Sequence, residues 1–251
     1  MIIAAESRQR ISKMQQLLKE KSLDGALFIS PIDVYYFAGT RQNSTLWIPR
    51  EGEPLLLVRK SLSRARQESP IQDIRPFPSS KEFSALFPET AQTIGMTFDV
   101  VPVQQLNFYS KLLAGRQFVD ITQLNREIRS VKSTFEIDQL KISAAGLCSV
   151  FVQVPQFLKV GMRELDLAAE FECRLRKAGS EGYVRMRAFN QELFQGLAVS
   201  DGGLSYGFFD GAVTGKGLST HLPTGLLWML YARMCRFLLT TPAYSTATLS
   251  T

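Results

Sequence analysis

The 251-residue chain is 45% apolar and 21% charged, a balance that supports one large packed domain or two modest ones and excludes disorder as its main state. The net charge of +6 is spread as +3 over residues 1–128, +1 over 129–224 and +2 over 225–251, with no run of five like charges and no basic stripe between aromatics, so no nucleic-acid partner is expected. Cys148, Cys173 and Cys235 are odd in number and none forms a C-x-x-C pair, which excludes a disulfide framework or zinc knuckle and predicts buried free thiols in a reducing compartment.

The first element is a helix over 8–21, with Ile11, Met14, Leu17 and Leu18 on one face. No basic n-region precedes an apolar core at the N-terminus, so no signal peptide is expected. Asp24-Gly25 punctuates, and Ala26–Ile29 reads as a buried strand ended by Pro31. Thr45–Ile48 and Leu55–Val58 flank a Pro/Gly-bearing turn, the pattern of a hairpin. Helix and strand signals then alternate through Leu62–Gln67, Ile71–Ile74, Glu82–Phe87, Ile94–Phe98, Gln104–Leu113 and Phe118-Val119, which predicts an α/β sheet layered with helices.

A second pattern starts near Ile128. Ile137, Leu140, Ala144, Leu147 and Phe151 recur at three- and four-residue spacing, and Ser133 with Glu136 three residues later predicts a capping box. Pro155 and Gly161 break this helix, and Leu165, Ala168, Phe171 and Leu175 mark the next, closed by Gly179. Gly182–Met186 and Leu197–Val199 read as strands. The Gly-rich loop from Asp201 to Gly217 lacks phosphate-loop spacing, so it is read as a surface loop.

Candidate chemistry is sparse. His221, the only histidine, lies in a Gly/Ser/Thr/Pro-rich loop and reads as solvated, which excludes a His-rich metal site or a Ser-His-Asp triad. Glu164, Asp166, Glu170 and Glu172 follow one another along a single helix, a pattern that fits a solvated face better than a catalytic pair. The longest apolar stretch read from the sequence, Leu226–Leu239, is 14 residues and interrupted by Arg233 and Arg236. That is too short and too charged to span a bilayer, so a cytoplasmic protein without a membrane partner is expected.

Leu23-Asp24-Gly25-Ala26-Leu27, Val34-Tyr35-Tyr36-Phe37-Ala38-Gly39 and Gly52-Glu53-Pro54-Leu55-Leu56, in this order, resemble the N-terminal domain of the creatinase, prolidase and Xaa-Pro aminopeptidase family of "pita-bread" metallopeptidases. The likeness runs from Arg8 to about Ile121. Ile128–Ser133, Glu136-Ile137 and Gly161–Leu165 resemble the start of that family's catalytic domain. The resemblance implies an α/β fold with a mixed sheet and flanking helices over 1–127 and the incomplete start of an α+β pita-bread domain over 128–224, which leaves 225–251 as a tail outside it. It also implies hydrolysis of peptide bonds next to proline by two divalent metal ions, held in full-length members by two Asp eleven residues apart, one His and two Glu. No family ligand maps onto any residue here, so no catalytic, cofactor-binding or metal residue is assigned and no cofactor is expected in this chain. Where many relatives carry a histidine in a later strand, this chain has Leu197.

No acidic residue follows Asp210, which is where the ligand strands should begin. Back-translating Trp228–Thr251 with free synonymous choice and reading from the third base of each codon returns DVVRKNVPVFVDYTGVFHGYIVD. Its second and third aspartates have the family's ligand spacing. In this register the last two bases of each new codon are the largely fixed first two of an old one, so wobble freedom cannot readily manufacture the match. The expectation is therefore that residues from about Gly225 are out-of-frame translation, that Trp228, Tyr231 and Phe237 form an exposed apolar patch, and that the chain is a truncated, inactive peptidase. The alternative is a non-catalytic N-terminal module that oligomerises or associates with a full-length peptidase. A peptide substrate is expected only for full-length relatives.

Overall fold

The computed structural model describes residues 4–182, 187, 197–200 and 237–240. The chain divides into two compact units, residues 1–132 and 133–251. The sequence placed the boundary at 127/128.

The first unit is a six-stranded mixed sheet covered on both faces. In chain order its elements are α1 (Ala4–Glu20), β1 (Gly25–Phe28), α2 (Pro31–Ala38), β2 (Ser44–Pro49), β3 (Leu55–Val58), α3 (Leu62–Glu68), β4 (Asp73–Pro76), α4 (Ser80–Phe83), β5 (Thr93–Met96), α5 (Val103–Leu112), β6 (Gln117–Asp120) and α6 (Thr122–Ser130). The strand order is β4-β3-β2-β1-β5-β6. β2 runs antiparallel to β1 and β3, while β1 with β5, β5 with β6 and β3 with β4 pair in parallel.

Period-two alternation sorts the strand residues into two cores. Ala26, Phe28, Leu46, Ile48, Leu56 and Val58 face α1, α2 and α6 through Met14, Leu18, Val34, Phe37, Leu124 and Ile128. Leu27, Trp47, Leu55, Leu57, Ile94 and Met96 face the other way, onto Phe83, Phe87, Tyr109 and Leu113. β1 and β3 are buried at every position, as a sheet with helices on both faces requires. Each such large side chain contributes about 1.5–3 kcal/mol of burial. The predicted 45–48/55–58 hairpin is present in the register Trp47↔Leu55 and Leu46↔Leu56.

Two helices of the first unit, α2 and α6, were not read from the sequence. Pro31 ends the β1 strand signal but also occupies the first turn of α2, where its missing N–H and fixed φ are tolerated. Gly39 closes α2 at φ 73°, with its N–H donating to the Tyr35 carbonyl. In α6, Ile128, taken as the start of the second pattern, is instead buried in the first unit's core.

In the second unit α7 (Thr134–Phe151) begins with the predicted capping box. The Glu136 N–H donates to Ser133 Oγ at 3.1 Å, and the Ser133 N–H donates to Glu136 Oε2 at 2.9 Å. After the short α8 (Val154–Phe157), α9 (Glu164–Lys177) packs Leu167, Phe171 and Leu175 against Val150, Val154 and Phe157. The Phe151 and Phe171 rings meet edge to face at 4.9 Å. β7 (Leu197–Ser200) coincides with the predicted strand and pairs antiparallel with β8 (Phe237–Thr240), from Leu197↔Thr240 to Ser200↔Phe237. Of the two strands, β8 lies inside the 225–251 segment expected to be foreign to the fold. Backbone pairing of this kind needs no particular side chain, which is how a tail of any origin can form it. Residues 183–186 of the predicted Gly182–Met186 strand, the whole 201–217 loop, His221, Trp228, Tyr231 and Cys235 lie outside the described residues.

Two further expectations are corrected. Cys148 and Cys173 are free, as read, but exposed rather than buried, because each lies on the outer side of its helix. The apolar segment Thr134–Phe157, 24 residues long, exceeds Leu226–Leu239 and is long and apolar enough to meet the length and composition measure of a membrane-crossing helix. The core helix of a soluble protein meets the same measure.

Candidate functional site

The carboxylates singled out by sequence all fall on α9, and helix electrostatics explain their order. Glu164 and Asp166 lie in the first turn and Arg174, Arg176 and Lys177 in the last, which complements the helix dipole at both ends. Asp166 accepts two hydrogen bonds from Arg163, from Nε at 2.7 Å and Nη2 at 2.6 Å, and this fork holds its carboxyl below the usual aspartate range. Glu170 pairs with Arg174 at 2.7 Å and Glu172 with Arg176 at 3.9 Å. These three are partly exposed, each with its own guanidinium, so they form the predicted solvated face. Glu164 does not belong to it. Its side chain is fully buried, since the first helical turn enters the packed face that carries Leu167 and Phe171.

The arrangement does not bring two carboxylates to one point, and a general acid–base pair needs that. Among the described residues no group of three or more His, Cys, Asp or Glu side chains is placed to hold a metal ion.

Polar convergence occurs instead in the first unit, at residues the sequence did not single out. Asp33, fully buried in the first turn of α2, accepts from Thr97 Oγ1 at 3.1 Å and from Asn125 Nδ2 at 2.9 Å. These three side chains join the ends of β1, β5 and β6. Nearby, Asp120 Oδ1 receives the N–H groups of Phe98 at 3.2 Å and Thr122 at 2.9 Å. Burial raises the Asp120 carboxyl, but these bonds and the Thr122 hydroxyl outweigh it and leave it lowered. On α1, Arg10 donates from Nε to Glu6 at 2.9 Å and from Nη1 to the Tyr36 carbonyl at 2.7 Å, with all three residues buried. Arg10 and Arg129 lie 4.0 and 4.7 Å from the Tyr36 ring centroid. The one available signal for Asp33 is a charged residue inside the apolar run Ile29–Ala38. These networks tie the sheet to its helices.

The signature residues have plain physical roles as well. Asp24 Oδ2 accepts the N–H groups of Gln92 and Thr93, both at 2.9 Å, and so closes the β1–β5 end of the sheet. Gly25 lies under the Trp47 indole, where a Cβ would stand 2.1 Å from Cη2.

Residues 10–131 match the Creatinase/Prolidase N-terminal domain family. A Xaa-Pro dipeptidase of Pyrococcus furiosus is 23% identical over 178 residues, covering 69% of this chain and 50% of its own length. An uncharacterized peptidase of Staphylococcus epidermidis is 25% identical over 185 residues, covering 68% of this chain and 50% of its own. The chain therefore spans about half the length of the curated relatives it matches. Among solved structures, the prolidase from Pyrococcus furiosus superposes with a TM-score of 0.72 at 16% identity, over 93% of this chain and 65% of that one. The Xaa-Pro dipeptidase from Bacillus anthracis gives 0.73 at 17% identity, over 95% and 61%. At these identities the structural likeness speaks for the fold alone, and the mixed sheet with flanking helices is the fold the resemblance implied. Residues 10–131 are thus a Creatinase/Prolidase N-terminal domain, and through it the chain is similar to that family.

Proposed function

We propose that this chain descends from a Xaa-Pro aminopeptidase or prolidase, whose activity is hydrolysis of peptide bonds next to proline, and that these 251 residues are inactive by themselves. The donor set carries the reading. A dinuclear hydrolase needs hard oxygen ligands and an imidazole converging from several strands. Here the exposed acids of α9 are each neutralised by an arginine on the same helix or at its start, one histidine exists, and no acid follows Asp210. The described residues do not fit the pair of metal ions that the family resemblance implies, and no catalytic step is assigned through them. The third-base reading of Trp228–Thr251 supports a frame change near Gly225 as the cause, and sequencing the coding DNA from Gly225 onward tests that cause directly.

The experiment for the function is metal analysis together with hydrolysis of Xaa-Pro peptides by the purified chain. The expected result is sub-stoichiometric zinc, manganese and cobalt, with no turnover. Stoichiometric metal accompanied by turnover overturns the reading.

A second reading, a non-catalytic module, is favoured by one observation. The first unit has a complete core on both faces of its sheet and ends at Lys132, one residue beyond the family domain. Its tests are the chain's oligomeric state by size exclusion with light scattering, and co-purification with a full-length relative.

A further inference from the structure

The first unit contains a cleft of about 490 Å³ that the hydrolytic reading does not use. One wall is α1, which presents Arg8, Ile11 and Gln15 along a single face. The opposite wall is the β2–β3 turn with Glu53 and Pro54, and the floor includes Ile71. The volume lies within the range of roughly 300–1,000 Å³ common for small-molecule sites.

Three features make this a built site. Its base is apolar, since Ile11, Pro54 and Ile71 are buried beneath it. Its two walls carry opposite charges, Arg8 on the helix and Glu53 on the turn, both exposed, and neither makes an ion pair among the described residues. The walls are also locked together. Gln15 Nε2, two turns along the helix from Arg8, donates to the Pro49 carbonyl at 3.0 Å and to the Gly52 carbonyl at 2.8 Å. Gly52 turns the chain at φ 97°, a conformation that favours glycine, and places Glu53 next to the locked carbonyl. The backbone segments that carry the cation and the anion, α1 and the β2–β3 turn, are thus fixed to each other beside an apolar base.

We propose that this cleft binds a short peptide with free termini. Arg8 takes the carboxylate in a forked, charge-assisted contact, Glu53 takes the ammonium, and an apolar side chain rests on Ile11 and Ile71. Opposite charges that do not meet each other are both satisfied by a zwitterion lying between them. An anion alone or a cation alone would leave one rim unmatched. This assignment is independent of the hydrolytic reading, because it uses no metal and no catalysis.

The test is a titration of the full chain with leucyl-leucine, its N-acetyl form and its C-amide, followed by amide and methyl NMR shifts at Ile11 and Ile71. Saturable shifts are expected with the free dipeptide, and capping either end should weaken binding by roughly tenfold or more. Arg8→Ala should weaken binding by the same factor, after which C-amidation costs nothing further. Glu53→Ala should do the same for N-acetylation. Both residues are exposed, so neither variant threatens folding, and Lys111→Ala on α5 serves as a charge-loss control that leaves binding unchanged. No saturable shift with leucyl-leucine, equal binding of capped and free forms, or equal losses on capping in wild type and variants would overturn the proposal.

Discussion

Gly25→Ala is the sharpest test of how the first unit is packed. In the β1–β2 register Leu27 stands opposite Trp47, so Gly25, two residues back on the same face, is the diagonal neighbour over which the indole reaches. A Cβ at position 25 would sit 2.1, 2.5 and 2.7 Å from Cη2, Cζ2 and Cζ3 of Trp47. Ordinary contact begins near 3.4 Å, so the indole must retreat by more than about 1 Å. It has nowhere to go, because Trp47 is buried and its ring meets Phe87 edge-on at 5.0 Å within the cluster that holds Phe83 and Tyr109. Overpacking of this kind costs about 1–3 kcal/mol, and three displaced ring atoms place the expected loss near the top of that range. In urea the midpoint should fall by about 1 M. Hydrogen exchange of peptides spanning β1 to β3 reads the first unit without interference from the second. The decisive comparison is the double variant. In a Trp47→Leu background the added methyl has room, so Gly25→Ala should cost little, giving a coupling energy of more than about 1 kcal/mol. An unchanged midpoint for Gly25→Ala, or the same cost in both backgrounds, refutes the steric account.

Tyr109 Oη and Thr45 Oγ1 are a buried pair at 2.6 Å. Tyr109→Phe should destabilise by about 1–3 kcal/mol by orphaning the threonine hydroxyl, and adding Thr45→Val should recover most of the loss in chemical denaturation. Acid stability should depend on Glu68, whose carboxyl is lowered by the Thr40 hydroxyl and, against the opposing effect of burial, by Arg64. A folded-state value below the unfolded one contributes stability that is present above the ordinary glutamate value of 4.5 and lost as pH falls through the lowered one. Thr40→Val should therefore lower stability at neutral pH and flatten the decline below that value, as measured by denaturation at stepped pH. Cys148 and Cys173 should both react with a maleimide in the native chain, as read by peptide mass spectrometry. Protection of either until denaturant is added contradicts their exposure.

Much of this architecture was legible because its signals are local. The Ser133/Glu136 capping box depends on a spacing of three residues, and the 45–48/55–58 hairpin depends on two apolar runs around a Pro/Gly turn. The two missed helices show where local signals compete. Pro31 both stops a strand and starts a helix, and only the chain's path after it decides between the two. The candidate site was legible only as a set of residues. That Asp166, Glu170 and Glu172 share a helix follows from numbering, whereas their separate arginine partners were not read from it. Glu164 lies on the same helix yet is buried, because three and seven residues before Leu167 and Phe171 it shares their packed face.

The sequence by itself pointed to the creatinase/prolidase N-terminal domain through short motifs in fixed order, and it determined the want of histidine and late acidic residues, since composition needs no coordinates. Only the tertiary structure decided why two of those motif residues matter. Asp24 ties β1 to the segment entering β5 across 68 residues of chain, and Gly25 yields its side-chain space to an indole from another strand. The structure alone also brought Arg8 and Glu53 to the lining of one cleft. Contacts between residues far apart in the chain leave no periodicity behind, so they exist for the reader only once the strands are paired.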